Sequence, residues 1–427
     1  MTGLVPRTLG FVSALVFLVF ATCAPLLADD DPVEKIFSAV PFSQWVKQGP
    51  QAPVPWKVRM RSNGLSVHQR LQARIEVELF GRDLVKRPQD GRIVVLVQVT
   101  DAAGQPFRDY SLLRMKNLPP EIRKKPVILS WDMFVLPGEY SVTVALVDDV
   151  SLEHNLMQSA LRIEPPKNDP LPDAWAGLPS VEFWTPGTEG PDSLFRSDIT
   201  GKLHLPLAAK HPVRMELLAD VTASDLFHGS TRFYNRYLSV ALPLLKALSQ
   251  ISLDRGGSLN VAMLDLRRRR VTFEQDSVKE LDWPRAKTVL APEHGPAMID
   301  IVALEQKRES PVFLQDELVR RLNAGAQGPP DADQSRPAGD AVHVFVVIGS
   351  PMDFYSFRNL PRLTPGTAEK CIVYYLQFEL LNTQYADGAL GSVRNMLKPL
   401  PVRTFKVRSA ESIRRALAKI LEEVANL

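Results

Sequence analysis

The fold of this chain is decided by the stretch Val213-Arg-Met-Glu-Leu-Leu-Ala-Asp-Val-Thr-Ala-Ser224. Its first part is mostly apolar, and Asp220, Thr222 and Ser224 then place oxygen-bearing side chains at alternate positions. A helical pattern follows, so we predict a strand that ends in a polar loop and opens a helix, as at the binding edge of an open α/β sheet. One carboxylate and two hydroxyls can face the same side of this loop, and Mg²⁺ and Ca²⁺ bind oxygen ligands of this kind.

Residues 212–427 predict an α/β domain: a doubly wound, mostly parallel sheet with helices on both faces. Beyond the first strand, the sequence predicts strands over 259–264, 271–273, 342–348, 371–376 and 402–407, and helices over 233–251, 297–307, 313–322, 393–397 and 410–424. The run Arg267 to Arg270 predicts a solvated hairpin end between two strands rather than a nucleic-acid patch. Glu216 lies within an apolar strand, so it must meet a base, lie near the strand's start or remain partly solvated.

Residues 55–165 predict an all-β domain. Runs such as 74–80 alternate with period two, which places Ile75, Val77 and Leu79 on one face. Several such runs without intervening helices indicate an antiparallel β-sandwich. The segment Leu136-Pro-Gly-Glu-Tyr-Ser-Val-Thr-Val144 is similar to a late strand of immunoglobulin-like or fibronectin-like modules. Such a domain is usually a spacer or an adhesive unit.

Residues 166–211, between the two predicted domains, are predicted to be a proline-rich linker. Prolines recur along this stretch, and their density disfavours helices and central strands. Trp175, Phe183 and Trp184 distinguish it from a purely flexible linker. We therefore expect a semi-rigid connection whose aromatic side chains pack onto one domain.

Residues 1–28 have the features of a secretory signal peptide. The apolar run over 9–22 is shorter than the roughly 20 residues of a bilayer span. With cleavage after Ala28, we expect an exported mature protein without a membrane span: periplasmic, secreted or associated with the cell envelope. A lipid anchor on Cys23 is not expected, because the residues before it fit the lipoprotein pattern poorly.

Charge and cysteine content narrow the possible partners and compartment. The chain has 51 basic and 48 acidic side chains and a net charge of +3, so no whole-chain field would attract nucleic acid. Without the signal peptide, Cys371 is the remaining cysteine, and no intrachain disulfide can form. An exported protein without disulfides suits a bacterial envelope.

The spacing of Asp220, Thr222 and Ser224 resembles the Asp-x-Ser-x-Ser motif of von Willebrand factor type A domains, with Thr222 in place of the first serine. The end of the chain, Thr404-Phe-Lys-Val-Arg-Ser-Ala-Glu-Ser-Ile-Arg-Arg-Ala-Leu-Ala-Lys-Ile-Leu421, is similar to the last strand and helix of that family. In particular it resembles the exported acidobacterial branch called VWFA-related. The resemblance implies a doubly wound sheet and a metal-dependent site that binds a protein partner at the Asp220 loop edge.

Two further loops of that family's metal site differ in this chain. Where the second loop offers a threonine, Pro296 has no hydroxyl, and where the third offers an aspartate, Ser350 stands, with Asp353 three residues further on. The candidate metal ligands are therefore Asp220, Thr222, Ser224, Ser350 and Asp353. Because two of the five expected positions are changed, we predict weak or absent binding of Mg²⁺ or Ca²⁺, and no other cofactor.

The sequence carries none of the common catalytic motifs. It has no His-Glu-x-x-His, no Gly-x-Ser-x-Gly and no Gly-rich phosphate loop after a strand. Asp225, His228 and Ser230 lie close in sequence, but proximity in sequence is not triad geometry. We predict non-enzymatic protein binding at the cell envelope. A secreted hydrolase using these three residues and a purely structural envelope component remain the alternatives.

Overall fold

The computed structural model describes residues 31–184, 199–222, 231–254, 256–266, 268–290, 310–326, 341–349, 371–378, 393, 397 and 400–427. Over these residues the chain is a mixed α/β protein with two four-stranded antiparallel sheets, one six-stranded mostly parallel sheet and one two-stranded pair. Among them, no helix combines the length and the apolarity needed to cross a membrane.

The N-terminal part is built mainly of antiparallel strands. In chain order its elements are α1 (Pro32–Ser38), α2 (Phe42–Gln48), β1 (Trp56–Leu65), β2 (Leu71–Phe80), α3 (Gly81–Leu84), β3 (Arg92–Thr100), β4 (Pro106–Arg114), β5 (Pro126–Val135), β6 (Gly138–Asp148), β7 (His154–Ile163) and β8 (Val181–Trp184). The two sheets have the strand orders β1-β2-β5-β8 and β4-β3-β6-β7. The predicted alternation in β2 is confirmed, since Ile75, Val77 and Leu79 are all buried.

The two antiparallel sheets share one apolar core. Val77 of β2 belongs to the same buried cluster as Val97 of β3 and Val144 of β6. Helices α1 and α2 cover the other face of the second sheet, where Phe37 and Trp45 pack in a separate apolar cluster. The second sheet is therefore buried on both faces.

The proline-rich stretch 166–211 contributes strands to two sheets. Strand β8 pairs with β5 and extends the first antiparallel sheet at its edge, where a nearby proline is tolerated. Strand β9 (Leu205–Leu207) pairs in parallel with β11 (Ile251–Leu253). Trp175 and Trp184 are both buried, and residues 185–198 lie outside the described part of the chain.

The C-terminal part contains the six-stranded sheet. Its further elements are β10 (Val213–Asp220), α4 (Thr231–Leu248), β12 (Ser258–Asp265), β13 (Arg270–Gln275), α5 (Trp283–Leu290), α6 (Ser310–Ala326), β14 (Val342–Gly349), β15 (Cys371–Phe378), β16 (Val402–Val407) and α7 (Ala410–Ala425). The strand order is β13-β12-β10-β14-β15-β16, and all neighbours are parallel except the hairpin β12–β13. Of the predicted helices, 297–307 lies outside the described residues, and 393–397 is described at its two ends alone.

Helices pack on both faces of this sheet, as predicted. On one face Leu217 of β10 lies in a cluster with Leu245 of α4 and Leu417 of α7. On the other face Leu218 lies in a cluster with Leu318 of α6. Because β10 is buried along its length except at Arg214, its mostly apolar sequence is the one expected for a central parallel strand.

Glu216 is a buried charged residue in the middle of β10, and it meets a base. Its carboxylate is 1% exposed and accepts hydrogen bonds from Arg321 Nη1 of α6 at 3.0 Å and from Asn260 Nδ2 of β12 at 2.6 Å. Arg214 Nε lies 3.3 Å from the same carboxylate. Arg321 also donates to Glu317 of its own helix at 2.8 Å. The Arg321–Glu216 pair therefore attaches α6 to the sheet by buried charges as well as by apolar contacts.

The last helix is bonded to the segment that follows the antiparallel sheets. Arg414 of α7 is 2% exposed, and its Nε and Nη2 lie 2.5 Å and 2.8 Å from the two carboxylate oxygens of Asp169. Its guanidinium lies over the Trp175 ring, 4.5 Å from the centroid, and Gln69 Nε2 donates to the carbonyl oxygen of Ala410 at 3.2 Å. The two halves of the chain are thus joined by the buried guanidinium of Arg414 and by the side-chain amide of Gln69.

Candidate functional site

The candidate site lies where the order of the parallel strands reverses. Strand β10 is the first of the six-stranded sheet in chain order; the chain then builds β12 and β13 on one side of it, and β14, β15 and β16 on the other. In open α/β sheets, ligands bind outside the carboxyl ends of the strands at this point. The carboxyl end of β10 is Asp220, so this residue lies at the edge of the sheet where the crevice between β10 and β14 opens.

Asp220 ends β10 as a buried carboxyl group. It is 5% exposed, and its Oδ1 accepts a hydrogen bond from the backbone nitrogen of Thr222 at 2.9 Å. Burial raises the pKa of Asp220 from 3.8 to about 7; hydrogen bonds from Thr222 lower it, and the charge of Asp265 raises it. The side chain therefore titrates near neutral pH, and a cation or a proton placed there would offset its desolvation.

Thr222 connects the start of the loop to the end of the neighbouring strand β12 by a hydrogen bond. Its Oγ1 accepts a hydrogen bond from the backbone nitrogen of Leu266, just after β12, at 2.8 Å. The backbone nitrogen of Val221 donates to the carbonyl oxygen of Leu264, also at 2.8 Å. The start of the loop is consequently held at a fixed position against the end of β12, and one lone pair of the Thr222 hydroxyl is already in use.

Two buried tyrosines interact with Asp220, one by a hydrogen bond to its backbone and one through the charge of its side chain. The hydroxyl of Tyr237 in α4 donates to the carbonyl oxygen of Asp220 at 2.6 Å. Burial raises the pKa of Tyr375 in β15 well above its ordinary range, and the charge of Asp220 adds to this effect. The backbone at the end of β10 is therefore held by the Tyr237 hydroxyl, and the Asp220 charge acts on the buried Tyr375.

The described part of the metal site supplies few ligands. Asp220 and Thr222 are brought together, whereas Ser224, Ser350 and Asp353 lie outside the described residues. Within the described ranges, no group of three or more His, Cys, Asp or Glu side chains is placed to hold an ion. One buried carboxylate and one partly used hydroxyl fit an oxygen-seeking cation in chemical type, but Mg²⁺ requires near-octahedral coordination. The remaining positions would fall to water and to the other three residues.

We expect weak or absent metal binding at this edge. Replacing a carboxylate about 4 Å from a divalent ion by a hydroxyl forfeits several kcal/mol at an effective dielectric near 20, before solvent compensates. Calorimetric titration of the full chain with Mg²⁺, Mn²⁺ and Ca²⁺ measures this directly. Micromolar binding that disappears in Asp220→Ala would contradict the prediction and would show that the site tolerates Pro296 and Ser350.

An arginine-rich turn lies beside the loop. The described residues of the predicted Arg267–Arg270 hairpin end connect β12 to β13, so that prediction is confirmed for Arg268 to Arg270. Asp265, the last residue of β12, accepts from the backbone nitrogen of Arg268 at 3.0 Å and from its Nη1 at 3.4 Å. The same sheet edge therefore carries both buried carboxylates and exposed guanidinium groups.

The hydrolase alternative places its catalytic residues just after the Asp220 motif. Asp225, His228 and Ser230 lie outside the described residues, so the hydrolase alternative is not addressed by this geometry.

The sequence analysis missed Asp265 as a residue of the candidate site. Asp265 ends the strand parallel to β10, and the strand ends of a parallel sheet meet at one edge. Tyr237 gave no comparable signal, because it belongs to the apolar pattern of α4.

No family model and no curated protein matches this chain. Among solved structures, the ArnB paralog VWA2 from Sulfolobus acidocaldarius is 9% identical, with 66% of this chain and 50% of that chain covered and a TM-score of 0.26. The PilB minor pilin from Streptococcus sanguinis is 9% identical, with 78% and 87% covered and a TM-score of 0.24. At TM-scores this low the likenesses carry no argument, and the description of the fold rests on strand order and register.

Proposed function

We propose that this chain is an exported, non-enzymatic protein-binding protein of the cell envelope, and that its α/β part is a von Willebrand factor type A domain. One observation carries the proposal: Asp220, the first residue of the polar motif, ends β10 at the switch point of the six-stranded sheet. If the strands of this sheet are numbered along the chain, their order across the sheet is third, second, first, fourth, fifth and sixth. The third strand alone is antiparallel to its neighbour. This order creates a crevice for a ligand at the carboxyl edge.

The N-terminal part supports a role as an immunoglobulin-like spacer or adhesive unit. The orders β1-β2-β5 and β4-β3-β6-β7 correspond to strands A-B-E and C′-C-F-G of a Greek-key sandwich. The Tyr140 hydroxyl donates to the carbonyl oxygens of Leu136, at 2.8 Å, and Ser180, at 3.1 Å. A tyrosine that bonds backbone a few residues upstream is a recurrent feature of such sandwiches.

Export and the absence of catalysis are supported by the sequence. The signal-like segment 1–28 and the single cysteine outside it favour an envelope address. The missing catalytic motifs favour binding over chemistry, and the resemblance to von Willebrand factor type A domains favours a protein ligand. The partner would contact the Asp220 loop, with or without an ion.

Capture of partners from envelope extracts by the immobilised full chain tests the proposal. We expect a saturable partner whose capture falls by about tenfold in Thr222→Ala, because that change releases the loop from Leu266. Thr143→Ala is the matched control, since Thr143 is a buried threonine in β6, far along the chain from this edge.

Three results would contradict the proposal in different ways. A partner that binds Thr222→Ala as well as wild type would place binding elsewhere on the molecule. No saturable partner at all would favour a structural envelope component. A hydrolase activity that is abolished in His228→Ala would overturn the non-enzymatic assignment.

A further inference from the structure

We propose that one end of the antiparallel sheets, here called the distal end, docks onto an anionic lipid surface. The distal end consists of residues 81–92, 114–126 and 148–154, which connect neighbouring strands at that end. Apolar side chains of the β6–β7 turn would enter the lipid interface, and basic side chains beside them would bind the phosphate groups. This inference goes beyond the proposed function, because it assigns a second binding surface that does not include the Asp220 edge.

The three segments of the distal end form one surface. The backbone nitrogen of Met115 donates to the carbonyl oxygen of Gly91 at 3.1 Å, and that of Gly81 donates to the carbonyl oxygen of Lys125 at 3.2 Å. Val150 packs so closely on Gly91 that a Cβ atom added there would lie 3.2 Å from Val150 Cγ2. The β6–β7 turn therefore lies beside the segment that contains Met115 and Lys125.

The β6–β7 turn holds two apolar side chains in water. Val150 and Leu152 are 53% and 72% exposed. Asp148 Oδ1 accepts hydrogen bonds from the backbone nitrogens of Val150 at 2.9 Å and Ser151 at 3.2 Å, and the backbone nitrogen of Leu152 donates to the carbonyl oxygen of Asp148 at 2.9 Å. Leu152 has a φ of 59°, which is unfavourable for a bulky side chain. A strained, well-bonded turn that exposes large apolar groups is the arrangement expected of a contact surface.

The distal end also carries basic side chains without acidic partners. It has nine basic and six acidic side chains in all, an excess of three positive charges. Four of the basic side chains are paired with carboxylates, as Arg87 is with Asp148 and Arg92 with Asp149. The other five are exposed and form no ion pair within the part of the chain that the structure describes. These five are Arg114, Lys116, Arg123, Lys124 and Lys125.

This combination favours an anionic lipid surface over other partners. Binding at a membrane interface increases with the apolar area that enters it and with the attraction of basic side chains to anionic headgroups. Lysine binds phosphate oxygens as a point charge and does not need a partner of fixed geometry. Proteins that bind single-stranded nucleic acid stack its bases on aromatic side chains. The large apolar side chains that are exposed among the described residues are all aliphatic, which disfavours that alternative.

Docking at the distal end would leave the α/β part on the aqueous side. Strand β2 runs between the distal end, where it ends at Phe80, and the opposite turn, which contains Gln69. At that opposite turn, Gln69 Nε2 donates to the carbonyl oxygen of Ala410 in α7 at 3.2 Å. The helix α7 and the sheet on which it packs would therefore be held away from the lipid.

The test uses the expected mature chain, residues 29–427, because the signal-like segment could itself enter lipid. Co-sedimentation with vesicles of phosphatidylcholine and phosphatidylglycerol in equal amounts measures binding, and pure phosphatidylcholine vesicles provide the neutral comparison. We expect binding to the mixed vesicles to be at least about tenfold tighter than to the neutral ones. Binding to the mixed vesicles should weaken clearly between about 50 and 200 mM salt, because the cations are exposed.

The triple variant Arg123→Glu/Lys124→Glu/Lys125→Glu removes three of the unpaired cations. We expect it to bind the mixed vesicles about tenfold more weakly than wild type, or weaker still.

Arg162→Glu/Lys167→Glu/Arg415→Glu is the matched control, because it changes the net charge by the same amount. These three exposed side chains lie outside the distal end. The control should bind within about twofold of wild type.

Leu152→Asn tests the apolar contact without a folding defect. Asparagine adopts the left-handed conformation more readily than leucine does, so the variant should be at least as stable as wild type in urea unfolding. It removes the most exposed apolar side chain of the turn, so vesicle binding should fall by about tenfold.

Several outcomes would overturn the inference. They are no binding to the mixed vesicles, equal binding to neutral vesicles, equal losses in the two triple variants, or unchanged binding of Leu152→Asn. Capture of a protein from detergent-solubilised envelope extract that is lost in Leu152→Asn, together with no vesicle binding, would assign the distal end to a protein partner instead. The proposed function is judged separately, by the effect of Thr222→Ala on envelope capture.

Discussion

Replacing Arg321 by methionine is expected to lower the free energy of unfolding by about 3–5 kcal/mol. Arg321 and Glu216 are 3% and 1% exposed in their side chains, and their closest atoms lie 3.0 Å apart. Methionine keeps much of the side-chain length but removes every donor, so the Glu216 carboxylate would stay buried without its main cation. Asn260 and Arg214 would still contact Glu216, which sets the expectation near the lower end of the range. Urea unfolding at neutral pH measures the change.

Arg320→Met is the matched control, because Arg320 is the adjacent residue on α6. Its guanidinium contacts Glu317 at 2.6 Å and Glu274 at 3.1 Å, but it is 50% exposed. Water can replace these contacts, so a loss of about 1 kcal/mol or less is expected. The double variant Glu216→Leu/Arg321→Met should recover most of the stability, since it removes both buried charges. Equal losses in Arg320→Met and Arg321→Met would refute the assignment of Arg321 as the buried partner.

The six-stranded sheet could be predicted because its signals are local. Strand β14 is apolar almost throughout, and α7 combines amphipathic spacing with a serine cap at Ser409. The predicted Val271 to Phe273 strand is confirmed as the antiparallel partner of β12. Parallel strands that are buried on both faces are apolar almost throughout, so they can be recognised in the sequence without knowledge of their neighbours.

The edges of the antiparallel sheets were harder to predict. Strand β4 mixes polar and apolar residues because it is an edge strand that is half-buried along most of its length. Strand β1 does alternate, with Trp56, Val58 and Met60 less exposed than the residues between them, and this signal could have located it. An edge strand has a neighbouring strand on one side alone, so it tolerates more polar residues than a central strand does.

The contacts that join distant parts of the chain could not be predicted at all. Arg414 meets Asp169 across 245 residues of sequence, and in sequence it is simply one of two adjacent arginines on a helix. Only the position of Arg414 on the face of α7 that packs inward makes it a buried residue. In the candidate site, likewise, Asp220 and Thr222 were found from their spacing, whereas Asp265 required knowledge that β12 lies beside β10.

Replacing Asp220 by asparagine is expected to make stability less dependent on pH and to raise it at neutral and alkaline pH. The folded-state pKa of Asp220 is about 7, against an ordinary value of 3.8. Since this pKa is raised, the folded state keeps a proton that the unfolded state has lost, and the contribution to stability falls as pH rises from about 4 to about 7. A difference of this size corresponds to at most about 4 kcal/mol, fully expressed above pH 7. Asparagine does not titrate and can still accept the hydrogen bond from the Thr222 backbone nitrogen.

Urea unfolding of wild type and Asp220→Asn between about pH 4 and pH 8, with EDTA present, measures the effect. Asp132→Asn is the matched control: Asp132 is 1% exposed, but its carboxylate is bonded by Arg74 Nε at 2.7 Å and Nη2 at 2.8 Å. Asp132→Asn should lose stability at pH 8, because the buried Asp132 carboxylate has the Arg74 cation beside it. Asp220→Asn should gain stability at pH 8, because among the described residues the Asp220 carboxylate has hydrogen bonds from Thr222 alone. If Asp220→Asn instead loses stability as Asp132→Asn does, the Asp220 carboxylate is charged and paired in the native protein. Repeating the titration with Mg²⁺ in place of EDTA would then show whether its partner is an ion, since an ion would stabilise wild type but not the asparagine variant.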